Sequence, residues 1–255
     1  MATQESEKQP QQRTFMLDYK RFLARWIIFM LGLIIMAFGI VLMIKADIGS
    51  APWDVLHIGL FIQLGLTIGS WSIIVGFVVI LLTSILMKEW PQVGTFLNMV
   101  LVGVFIDLFM LIPMLQTPPG FWGKLFMLAL GIVIIGYGIG LYIAPKCGAG
   151  PRDSLMLALT TKTGWKVQYI RGAMEIVVLA VGWLLGGPVF LGTLIFTFGI
   201  GSIVGITLPQ CQKLVDSILN LSYFKPISPI IHGGVHIENF DQGKIRLNHH
   251  DGISQ

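Results

Sequence analysis

Two aspartates, Asp54 and Asp153, occupy the same place in two copies of one short phrase. The phrase is G-x-x-P-x-D-x-L, at residues 49–56 and again at 148–155, ninety-nine positions on. Pro52 and Pro151 suit the first position of a helix, where the missing N–H removes no bond. Each aspartate then falls in the first turn, where free N–H groups and the helix dipole favour an acid. An acid there can cap its own helix, or it can bind a cation or a proton. The backbone groups of Gly49 to Trp53 and of Gly148 to Arg152 are available at the same two places.

A third aspartate, Asp107, stands in the middle of an apolar run. Ionisable groups within a membrane are costly, face the protein interior and mark function by default. The structural alternative is an Asp that fixes helix packing through hydrogen bonds. Asn98 is a weaker candidate of the same kind. Arg171 and Glu175 lie four apart on one helical face, the spacing of an ion pair. They read as a structural pair, with participation in a pathway as the alternative. His57 reads as a packed or interfacial side chain rather than a ligand.

Enzyme chemistry finds no support. H-E-x-x-H, G-x-S-x-G and the P-loop are absent. The run G-I-G-S-I-V-G at 199–205 lacks the dinucleotide spacing. Cys147 and Cys211 are too few for a disulfide framework or a metal cluster. The expectation is a protein without catalytic residues, bound metal or cofactor, and not an enzyme.

These side chains need elements to hold them, and composition says which. Of 255 residues 55% are hydrophobic and only 12% charged, about half the charged share of a soluble domain. Mean hydropathy is +0.79. Such a chain belongs in a lipid bilayer. The net charge of +4 then reports cytoplasmic loops and no nucleic-acid partner. The polar start, MATQESEKQPQQRTF, is not a signal peptide.

Six apolar runs are long enough to span: Trp26–Ile44, Trp71–Met87, Gly94–Leu115, Leu125–Ala144, Val167–Leu185 and Phe190–Leu208. Pro52–Leu66 and Pro151–Thr163 are too short and suit re-entrant helices. Backbone that stops midway in a membrane must be buried in protein or line a wet cavity. Both short segments carry the repeated phrase.

The copies extend beyond it. Gly39–Gly65 aligned on Gly138–Gly164 gives ten identities in 27 positions, against roughly two or three from skewed composition. After a one-residue gap Gly94-Thr95 matches Gly192-Thr193, and Gly103 matches Gly201. The unit is span, short helix, span, span, written twice. Lys20, Arg21 and Arg25 put the N-terminus in the cytoplasm. Between Ala144 and Lys166, around the second short helix, stand Lys146, Arg152, Lys162 and Lys166, and between Lys45 and Thr67, around the first, Lys45 alone. The repeats are therefore expected to be inverted. Small-residue spacings, at Gly136, Gly138 and Gly140 and at Gly201 and Gly205, suit close helix packing.

After Leu208 the chain turns soluble in character. Gln210–Leu221 suits a short amphipathic helix on the inner membrane surface. Residues 222–255 read as a cytoplasmic tail with a small hairpin in HGGVHIENFDQGKIRL, and His249-His250 as solvated. The divisions are 1–24 cytoplasmic, 25–121 and 122–209 membrane repeats, and 210–255 a cytoplasmic tail.

The stretches GIVLMIKADIGSAPWDVLHIGL, GLTIGSW and GTFLNMVLVGVFIDL resemble the YczE-like bacterial membrane proteins and, more loosely, the YitT group. The resemblance covers roughly residues 25 to 210. Its motif residues here are Gly49, Pro52, Trp53, Asp54, Gly94, Thr95, Asn98, Gly103 and Asp107. It implies a polytopic bacterial plasma-membrane protein and brings no substrate or catalytic residues with it.

The expected fold is all-α, with six transmembrane helices, two re-entrant helices and two inverted repeats. The leading function is a small secondary transporter in the plasma membrane. An unknown small molecule or ion would bind midplane, at Asp54, Asp153, Asp107, Gly49, Pro52, Gly148, Pro151 and Asn98. The alternative is a scaffold or regulatory protein that supports a partner enzyme or complex, with the tail as its contact. A homodimer suits either.

Overall fold

The computed structural model describes residues 2–219. The expected hairpin, the rest of the tail and His249-His250 lie outside the described residues. Eight helices follow in order: α1 (Ala2–Ala46), α2 (Pro52–Leu64), α3 (Ile68–Met87), α4 (Val93–Met110), α5 (Phe121–Ile143), α6 (Pro151–Thr163), α7 (Val167–Leu184) and α8 (Leu191–Ile218). Among the described residues there is no strand.

Six of these, with α1 counted from Arg21, are long and apolar enough to cross a membrane. The 13 residues of α2 and of α6 reach about 20 Å, short of the roughly 30 Å hydrocarbon layer. The fold is thus a polytopic bundle of membrane helices. Phe77, Leu81, Ile85, Ile176, Leu184 and Phe198 are exposed on its outside, as a lipid-facing surface requires. Trp90, Trp122, Trp165 and Trp183 are exposed at or near helix ends, where amphipathic rings sit at headgroup level.

Two differences from the sequence reading concern helix ends. The third span stops at Met110, and residues 111–120 connect it to α5. The sixth span and the expected amphipathic helix at 210–221 are one helix. Pro209 lies inside α8 without ending it, and Cys211 and Val215 continue its buried face. Val215 and Leu219 pack with Ile28.

The core is built on α1 and α5, which run antiparallel along each other. Glycines set the closeness. A Cβ on Gly39 would stand 2.8 Å from Ile135 N, and one on Gly138 2.5 Å from Met36 N. A Cβ on Gly32 would meet Tyr142 N at 2.5 Å, and one on Gly131 would meet Met43 N at 3.1 Å. The second contact of each pair is the first with 99 added to one residue and subtracted from the other. Phe29, Leu33, Met43 and Leu128 are fully buried around this crossing.

The remaining helices interlock. α4 packs on α1 and α8 on α5, while α2 packs against α7 and α6 against α3. Each short helix thus leans on the other half of the chain, and the two expected membrane repeats form one compact unit.

The halves differ in one place. α3 packs along α4, with Ile73 filling the space over Gly103. Asp107 on α4 accepts hydrogen bonds from Thr67 Oγ1 at 2.6 Å and Gly69 N at 2.9 Å at the start of α3. α7 does not pack along α8 in this way. Counted from the helix starts, the positions of Ile73, Gly103 and Asp107 are taken by Gly172, Gly201 and Gly205. A Cβ on any of these three glycines would meet nothing within 4 Å. The expected close packing at Gly201 and Gly205 is therefore absent, because α7 offers no knob to fill it. Gly136, Gly138 and Gly140 do pack as expected, against Ile203, Met36 and Cys211.

Candidate functional site

The two loops before the short helices have one backbone design. Asp47 and Lys146 are both left-handed, at φ 54° and 58°. Gly49 and Gly148 follow at φ 108° and 155°. Glycine is required at both places on two counts. The backbone disfavours a side chain, and a Cβ would lie 2.8 Å from Thr193 N or 2.7 Å from Thr95 N. Each loop is thereby seated on the start of a helix from the other half, α8 for Gly49 and α4 for Gly148. Gly192 N donates to Ile48 O at 2.6 Å.

Pro52 and Pro151 open the short helices, with Val55 N bonded to Ala51 O and Ser154 N to Gly150 O. No side chain caps either N-terminus. Gly65 N and Gly164 N then close the helices on Phe61 O and Thr160 O.

The first turns of both helices open on one cavity of about 120 Å³. α2 contributes Pro52, Trp53 and Asp54, and α6 contributes Arg152, Asp153 and Met156. Ile135, Ile139 and Tyr142 of α5, and Phe196, Ile200 and Val204 of α8, form apolar walls around the Tyr142 hydroxyl. Arg171, Met174 and Glu175 of α7 and Ile40 of α1 also line it. The cavity lies where α7 stands off α8.

Its charged groups have unequal surroundings. Tyr142 OH donates to Asp153 Oδ2 at 2.9 Å. Arg171 Nε donates to Glu175 Oε1 at 3.1 Å, the ion pair expected from the sequence, here on the cavity wall. Asp54 is 6% exposed, and its nearest ionisable neighbour is His57 Nδ1 at 3.9 Å. Among the described residues neither the Asp54 carboxyl nor the Arg152 guanidinium has a hydrogen bond, and Arg152 has no ion pair.

Asp54 and Asp153 thus meet in one cavity, with Pro52. Gly49 and Gly148 hold the loops, and Pro151 starts α6 outside the lining. Asn98 is buried behind α6. Its Oδ1, Asp153 Oδ2 and Tyr142 OH all stand 3.5 Å from where a Gly150 Cβ would be, and its Nδ2 has no partner. Asp107 is not among the lining residues and is engaged at the start of α3. The sequence reading missed Arg152 and Tyr142 as site residues. Both were findable where the copies diverge, since Arg152 matches Trp53 and Tyr142 matches Met43. Among the described residues no three His, Cys, Asp or Glu side chains are placed to hold a metal.

An all-helical membrane bundle with a polar cavity between two half-length helices defines a class. Within it, the chain belongs to a family of unknown function, DUF6198, whose model matches residues 23–209. It is 43% identical over 211 residues to the uncharacterized membrane protein YczE of Bacillus subtilis, covering 82% of this chain and 97% of that one. A Haemophilus influenzae protein described as uncharacterized is 34% identical over 187 residues, covering 73% of this chain and 84% of its own. The uncharacterized protein YyaS of Bacillus subtilis is 26% identical over 184 residues, or 72% and 92% of the two chains. No solved structure matches. The resemblance to YczE-like proteins holds, and the chain is a multi-pass membrane protein.

Proposed function

We propose that this protein is a small secondary transporter whose substrate site is the cavity between the N-terminal ends of α2 and α6. One observation carries the reading. Two half-length helices from different halves of the chain bring their uncapped first turns and three charged side chains, Asp54, Arg152 and Asp153, to a single cavity inside a membrane bundle, where Arg171 and Glu175 of α7 join them. Discontinuous helices whose ends meet at an inverted-repeat interface are a recurrent way to hold solutes and coupling ions.

The inverted repeat is part of the same proposal. Equivalent contacts exchanged across an antiparallel α1–α5 crossing support a two-fold axis in the membrane plane. The paired left-handed residues and the paired loop hydrogen bonds agree with it. With the N-terminus in the cytoplasm, the loop at 47–51 faces outward and the loop at 144–150 inward.

The test is solid-supported-membrane electrophysiology on the full chain in proteoliposomes, exposed to rapid steps of small amino acids, organic acids and organic cations. A transient current is expected for at least one class. It should be lost in Asp54→Asn and kept in Asp107→Asn when that variant is folded. Silence across all three classes from a folded, correctly reconstituted protein refutes the proposal.

A further inference from the structure

Two opposite charges share the cavity without touching. Asp54 is buried to 6% exposure and lines the cavity. Arg152 lines it from α6. Neither has a hydrogen bond among the described residues; the one ionic contact of Asp54 is the His57 imidazole at 3.9 Å, and Arg152 has none, whereas Asp153 has Tyr142 and Arg171 has Glu175. An unpaired charge in low-dielectric surroundings is destabilising, and it is stabilised by a counter-charge.

The backbone offers the same free N–H groups at the start of α2 and of α6, and the side chains beside them set the direction. Pro151 has no N–H, and Ser154 N is already bonded to Gly150 O. The N–H groups of Arg152 and Asp153 are thus free in α6, as those of Trp53 and Asp54 are in α2, but only in α6 does a cation, the Arg152 guanidinium, stand beside them. That end of the cavity suits a carboxylate. The α2 end carries the Asp54 carboxyl, which suits an ammonium. A water needs roughly 10–15 Å³ of such volume, so a cavity of about 120 Å³ holds several waters or one small organic molecule.

We infer that the site binds a small zwitterion, an amino acid or betaine, with its cationic group on Asp54 and its carboxylate on Arg152 and the start of α6. This inference rests on the transporter reading and names its substrate class. A ligand with both charges satisfies both protein groups. A singly charged ligand leaves one of them bare.

The experiment is a thermal-shift series on the full chain in detergent, with glycine, alanine and glycine betaine as zwitterions and with acetate and methylammonium as single-charge controls. At about a hundredfold excess over Kd, at least one zwitterion should raise the melting temperature by roughly 5–10 °C, and neither control should. Asp54→Asn and Arg152→Gln should each weaken the response by about tenfold or more. Arg152→Lys, which keeps the charge, should retain more of it than Arg152→Gln. If Arg152→Gln does not fold, Arg152→Lys and the single-charge controls still decide. A shift from acetate alone makes the site an anion site, and a shift from methylammonium alone a cation site. Either result overturns the zwitterion and leaves the transporter standing. No shift from any probe, in a protein that still gives solute-driven currents, overturns the zwitterion alone. No shift and no currents overturn both readings.

Discussion

Replacing Asp107 by alanine removes two hydrogen bonds at once, those from Thr67 Oγ1 at 2.6 Å and from Gly69 N at 2.9 Å. Both tie the start of α3 to α4. A hydrogen bond to a charged group contributes about 1.5–3 kcal/mol in soluble proteins, and bonds between membrane helices average about 0.6 kcal/mol. The Thr67 bond is exposed and the Gly69 bond half-buried, so the low end applies. A total near 1–3 kcal/mol lowers the melting temperature of a chain this size by roughly 2–12 °C. Asp54→Asn removes no hydrogen bond, and of ion pairs only the 3.9 Å contact with the His57 imidazole. It also takes a carboxyl out of a buried place, so its melting temperature should match or exceed the wild type. The native thiols supply the assay, since Cys211 is buried and Cys147 half-buried. A thiol-reactive dye therefore reports unfolding without an added label. Should Asp107→Ala melt with the wild type while Asp54→Asn falls by several degrees, the division between clamp and site is refuted.

Gly49→Ala and Gly148→Ala should each destabilise the fold by about 1–3 kcal/mol, because each Cβ would press on a threonine backbone. Gly199→Ala and Gly205→Ala, where nothing lies within 4 Å, should melt within a few degrees of the wild type. Asp47→Cys and Lys146→Cys occupy exposed, equivalent loop positions. In a background lacking Cys147 and Cys211, an impermeant maleimide on intact cells should label the first and not the second. Labelling of both from one side refutes the inverted repeat. A chain cut after Leu221 should keep its solute-driven currents if the membrane part is the transporter. Their loss, with folding retained, favours a scaffold working through the tail.

Much of this architecture was legible because lipid is a demanding solvent. Every span shows as an apolar run, and α2 and α6 showed because their runs are too short. Proline and glycine at fixed offsets marked both of their starts. The convergence of Asp54 and Asp153 followed from the repeat. Four things were not legible. For Asp107 the sequence left a functional and a packing role both open, since it does not reveal that Thr67 and Gly69 reach it. Arg152 looked like a topogenic charge, since its cavity is assembled from five other helices. Gly201 and Gly205 read as a packing motif, because a small residue permits close approach but does not supply the neighbour. Helix continuity through Pro209 was missed for a related reason. Local chemistry argues for a break there, and packing of Cys211 and Val215 outweighs it.

The unequal halves make physical sense together with the proposed site. In two equal copies α7 would close on α8 as α3 does on α4. The first half keeps its closure, with Ile73 over Gly103 and Asp107 on α3. The second half lacks both devices, having Gly172, Gly201 and Gly205 at those positions. Its α7 places Arg171 and Glu175 toward the gap, and they line the cavity. Gly172→Ile restores the missing knob. If α7 must stand off or move for the site to work, this variant should stay folded and lose its currents. Currents undiminished by that isoleucine would show that the gap beside α7 is not the working part of the molecule.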